Sequence, residues 1–80
     1  MIDAVLQNKR NPNKFIEVRR YDCGHYVWRQ YIENPETHIR NYTGCSLRRV
    51  SSGMWHRVSR QTLKDVLPDY ACIFNQWLFN

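Results

Sequence analysis

Six side chains in this chain are of types that bind zinc: Cys23, Cys45, Cys72, His25, His38 and His56. Structural zinc sites usually carry their ligands as C-x(2–4)-C or H-x(3–5)-H pairs. The close pair here, Cys23-Gly24-His25, has a one-residue separation, and the remaining candidates are scattered. That spacing favours ordinary cysteines and histidines, and no metal or other cofactor is expected. Cys23 beside His25 also brings a thiol near an imidazole. Nucleophilic catalysis needs a third group to orient the base and a site for the oxyanion, and neither can be identified. Glu33 and Glu36 flank a polar loop and read as surface charge. With no complete catalytic signature, a non-enzymatic role is expected.

The arginines offer a different chemistry. The chain carries 12 Lys and Arg against 7 Asp and Glu, a net charge of +5. Eleven of the basic residues and five of the acids precede residue 61, so the excess belongs to that part of the chain. Nine of the basic residues are arginine, whose planar fork suits phosphate and stacks on aromatic rings. An anionic partner follows as the leading expectation.

Strands must position these side chains. Residues 14–33, KFIEVRRYDCGHYVWRQYIE, read as two runs rich in β-branched and aromatic residues around Asp22-Cys23-Gly24. A three-residue turn lets Gly24 take the left-handed conformation that Cys23 would resist. Tyr21 then pairs with His25, Arg19 with Val27, Glu17 with Arg29 and Phe15 with Tyr31. Alternation gathers Ile16, Val18, Tyr26, Trp28 and Ile32 on a core face, with Arg20 and Gln30 toward its ends. The opposite face carries Phe15, Glu17, Arg19, Tyr21, His25, Val27, Arg29, Tyr31 and Glu33, with Glu17 and Arg29 as an exposed cross-strand ion pair. A loop at residues 34–37 leads to a third strand over residues 38–43. Pairing Glu33 with His38 would put Ile39 beside Ile32 in the core, and Arg40 and Tyr42 on the outer face. The expected binding surface is therefore Arg19, Arg29 and Arg40, holding phosphate or a guanine edge. Tyr21, Tyr31 and Tyr42 would stack, and Arg48 and Arg49 would flank the face. Cross-strand Arg and Tyr are also good neighbours on any solvated sheet, so a purely structural face and a protein contact remain open.

The flanking segments complete the fold. Residues 1–13 read as an N-terminal arm or short helix, with Ile2, Val5 and Leu6 at helical spacing. Residues 14–58 form the sheet, with residues 47–50 either a short fourth strand or a basic loop and Trp55 reaching back to the core. Residues 59–80 hold a helix capped by Ser59, with Leu63, Val66, Leu67, Tyr70, Ala71 and Phe74 on one face. Pro68 kinks or breaks it near Leu67. The apolar tail at Trp77, Leu78 and Phe79 is a candidate for self-association or a protein partner. The expected class is α+β: a single domain with a three-stranded antiparallel sheet covered on one face by a C-terminal, Pro-kinked helix. No apolar run approaches the roughly 20 residues of a membrane helix. An odd number of widely spaced cysteines, with no secretory signal ahead of them, favours reduced thiols in a cytoplasm.

Three resemblances bear on function. NPNKFIEVRRYDCGHYVWRQY with WHRVSRQTLKDVLPDY resembles small accessory proteins of bacterial mobile elements, phages and conjugative transposons, from which no activity carries over. Strands followed by a C-terminal helix are similar to the arm-site-binding domain of transposon tyrosine integrases, which implies DNA reading by a three-stranded sheet. Gly24-His25-Tyr26-Val27-Trp28-Arg29 and Thr62-Leu63-Lys64-Asp65-Val66-Leu67 resemble HicA-type mRNA interferase toxins. That resemblance implies an α-β-β-β-α fold and His25 as general acid or base. The leading expectation is a small basic nucleic-acid-binding accessory protein. An interferase centred on His25 and a protein-binding inhibitor or assembly factor are the alternatives.

Overall fold

The computed structural model describes residues 4–20, 26–43 and 54–75. Six strands form one antiparallel sheet: β1 (Ala4–Asn8), β2 (Lys14–Arg20), β3 (Tyr26–Glu33), β4 (Arg40–Thr43), β5 (His56–Val58) and β6 (Tyr70–Phe74). One short helix, α1 (Arg60–Val66), and a 3₁₀ turn (Leu67–Asp69) separate β5 from β6. The path across the sheet runs β4-β3-β2-β1-β6, and β5 also pairs with β3. Since β2 occupies one side of β3 along its length, β4 and β5 share the other, at opposite ends. The expected three-stranded sheet under a long C-terminal helix is therefore corrected to a mostly sheet protein with a seven-residue helix.

The central hairpin keeps its expected register. Phe15 faces Tyr31, Glu17 faces Arg29 and Arg19 faces Val27. Its turn, with Tyr21, Cys23 and His25, lies outside the described residues. Ile16, Val18, Tyr26 and Trp28 are buried, and they pack with Ala4, Leu6, Leu63, Val66 and Tyr70 into the core. Ile32, expected in that core, lies at the sheet end opposite Asn41 and is 39% exposed.

Residues 4–8, expected within an arm or short helix, and residues 70–74, expected to continue the C-terminal helix, are both strands. A five-residue segment is too short to hold a helix unaided, and β2 offers an edge of backbone N–H and C=O groups. Ala4 and Leu6 alternate with Val5 and Gln7, so pairing with β2 sends Ala4 and Leu6 into the core. At the other end Ser59 caps α1 as expected, its hydroxyl accepting from the Thr62 amide at 3.1 Å. Leu63 and Val66 bury the helix face. Pro68 then enforces a full break. It removes an amide donor and clashes with a continuing helix. Beyond the 3₁₀ turn, Tyr70 to Phe74 (YACIF) suits a pleated strand, and β6 pairs with the outer side of β1. A bulge between Val5 and Leu6 in that pairing sets Phe74 opposite Val5. The α-β-β-β-α order implied by the interferase resemblance thus differs at both ends from the described elements.

The third expected strand exists with a shifted partner. Glu33 meets Arg40, not His38. The Asn34 side chain accepts from the Glu36 and Thr37 amides at 2.8 and 3.2 Å, and His38 takes a φ of 61°. These features lengthen the loop to residue 39 and leave Ile39 67% exposed. A slip of two residues preserves side-chain parity, so Arg40 and Tyr42 still reach the outer face. Residues 47–50, Arg48 and Arg49 among them, lie outside the described residues. So do Trp77, Leu78 and Phe79.

Candidate nucleic-acid interface

The sheet face opposite α1 collects Arg19, Arg29, Arg40, Tyr31 and Tyr42, as expected from alternation. The β5 pairing adds Arg57, opposite Val27, to the same face. Glu17 sits at the middle of the group. Its Oε2 accepts from Arg29 Nε at 3.2 Å, and its Oε1 accepts from the Tyr42 hydroxyl at 2.8 Å and from Arg40 at 3.4 Å. Arg29 also donates to the Tyr42 hydroxyl at 3.4 Å. Glu17 is fully buried, so this is no exposed ion pair, as was expected of it. A buried carboxylate is costly unless several donors replace its water, and here three side chains do so.

Aromatic rings cover the cations, and two of them flank Arg29. The Arg29 guanidinium lies 4.1 Å from the centre of the Tyr42 ring and 4.3 Å from that of Trp55. Arg19 lies 4.4 Å from Trp55, and Arg40 lies 4.7 Å from Tyr31. Each such contact contributes about 0.5–1 kcal/mol near a surface and more when water is excluded. Tyr31 in turn stacks on Phe15 at 5.1 Å and meets the edge of Tyr42 at 5.4 Å. The result is that Tyr31 is only 3% exposed. Burial pushes its phenol above the ordinary value of 10.0, partly offset by the charge of Arg40. Trp55 was expected to reach back to the core; it packs on the outer face against Arg19 and Arg29.

Charge is unequally satisfied across this group. Arg29 pairs with Glu17, and Arg40 pairs with both Glu17 and Glu33, the latter at 3.1 Å. Two carboxylates thus face two guanidiniums. Arg19 makes no carboxylate pair among the described residues, and its Nε is buried without a hydrogen-bond partner. Neither Glu17 as a hub nor Trp55 as a cover is directly legible in the sequence. The run Met54 to Val58, with Trp55 two residues from Arg57, carries the strand alternation that would place both on one face.

Among the described residues, no group of three His, Cys, Asp or Glu comes together to hold a metal. Burial raises the Cys72 thiol above its ordinary pKa, which disfavours the reactive thiolate. Among the described residues, no helix is long and apolar enough to cross a membrane. No family model, curated protein or solved structure matches this chain.

Proposed function

We propose that this protein is a small nucleic-acid-binding accessory protein, acting in the cytoplasm, that meets its ligand with the arginine-rich outer face of the sheet. The observation that carries this reading is the set of guanidiniums from three neighbouring strands, held in place on one sheet by aromatic rings. A rigid arginine loses little side-chain freedom on meeting a phosphate, and its fork can grip two oxygens at once. The net charge of +5 supplies long-range attraction to a polyanion. The interferase and protein-partner readings rest on His25 and on residues 77–79, which lie outside the described residues.

Anisotropy titration of labelled DNA and RNA at two salt concentrations tests the proposal. Affinity is expected to fall as salt rises, because each neutralised phosphate releases counterions. Absence of binding to every nucleic acid at low salt refutes it.

A further inference from the structure

We infer that this face takes the sugar-phosphate backbone at its Arg19–Trp55 end and stacks no base on Tyr31 or Tyr42, an inference that rests on the nucleic-acid reading above. Base stacking needs an open ring face. Tyr31 has Phe15 against it and the Arg40 guanidinium over it, and only 3% of it meets solvent. Tyr42 has Arg29 over its ring at 4.1 Å and its hydroxyl bonded to Glu17. Tyr31 and Tyr42, two of the rings that the sequence offers as a stacking platform, are already stacked on the protein's own cations.

The same accounting separates the arginines. Arg29 and Arg40 face Glu17 and Glu33, so an incoming phosphate must compete with a carboxylate for either of them. Among the described residues Arg19 has no carboxylate partner and its Nε has no hydrogen-bond acceptor. Trp55 covers it at 4.4 Å, holding the guanidinium plane and excluding water on one side. An anion reaching the remaining N–H groups of Arg19 gains a charge-assisted contact in a partly desolvated setting, without displacing a carboxylate of the described residues. Arg29 and Arg40 build the face, and Arg19 makes the contact. Recognition of this kind reads charge and is indifferent to base identity.

The decisive measurement compares a thymidine oligonucleotide with an abasic oligonucleotide of the same length, using the unaltered protein. Backbone recognition predicts affinities equal within about 2-fold. Stacking is worth about 1–3 kcal/mol per base, or about 5- to 150-fold. A loss of that size for the abasic strand overturns this inference and leaves the nucleic-acid reading intact, whereas failure of both strands to bind overturns the two together. Arg19→Ala adds an independent check. It is expected to make the plot of log affinity against log salt shallower by about 0.7, the contribution of one phosphate on a single strand, with Arg19→Lys restoring the slope. A variant that melts like the parent yet keeps the parental slope removes Arg19 from the contact.

Discussion

Beneath α1, Trp28 is buried among Ile16, Val18, Leu6 and Leu63. On the other side of the same strands, Arg29 is enclosed by Trp55, Tyr42 and Glu17. Both are large side chains at adjacent positions on β3, Trp28 fully buried and Arg29 partly buried. The first is held by the hydrophobic effect, which needs only apolar neighbours of suitable volume. The second needs particular partners at particular distances, because a cation leaves water only when donors, acceptors and ring faces replace it. The comparison teaches that one sheet can have two interiors with different tolerances. The helix-covered side should accept conservative changes of shape, whereas the outer side should respond to loss of a single charge.

The largest test of that contrast is Trp28→Ala, which removes the biggest fully buried side chain of the core. It is expected to cost about 3–5 kcal/mol in denaturant unfolding. A loss below about 1 kcal/mol would show that the core is looser than its burial implies. Glu17→Gln keeps the shape of the outer cluster and removes its charge. A cost of about 1–3 kcal/mol is expected, since the single amide oxygen can accept from Arg29 or from Tyr42 but not from both, and Arg29 and Arg40 lose their shared counter-charge. The corresponding shape-conserving change in the core, Leu63→Met, should cost less than about 1.5 kcal/mol. If the two costs come out in the reverse order, the distinction between the two sides fails.

Smaller effects refine the picture. Ser59→Ala removes the cap of α1 and should lower stability by about 1 kcal/mol, read in the same unfolding assay. Tyr31 supplies a pH signature confined to the outer side. Its folded pKa is raised, so its neutral form is favoured by folding. The associated stability is fully present below the unfolded value of 10.0 and is lost as pH rises through the folded value. Thermal melts should therefore decline more steeply above pH 10 in the parent than in Tyr31→Phe. Identical decline in both would assign the alkaline loss to other groups.

The parts of this architecture that could be read in advance are those controlled by local repetition. Alternation through β2 and β3 gives the hairpin register, and the parity of Arg40 and Tyr42 survives a loop two residues longer than expected because a shift of two leaves each residue on its face. Ser59 and Pro68 mark the start and the end of α1 through their own chemistry, one as a cap and one as a breaker. Residues 4–8 and 70–74 differ from their helical reading for a common reason. Val5 and Leu6, like Leu63 to Phe74, satisfy helical spacing when counted alone, and short apolar runs do not distinguish a helix from a strand. Of the candidate site, the arginines and tyrosines were legible as members of a face; their mutual stacking was not.

Residue order alone determined which side chains share a side of each strand, because the pleat alternates regardless of what surrounds it. Tertiary structure decided what each side became. Only the pairing of β1 with both β2 and β6 converts two marginal segments into strands, since unpaired backbone groups there are satisfied by neighbours distant in sequence. Only the return of β5 beside β3 lays Trp55 across Arg19 and Arg29, and with it the difference between an open row of arginines and an enclosed one.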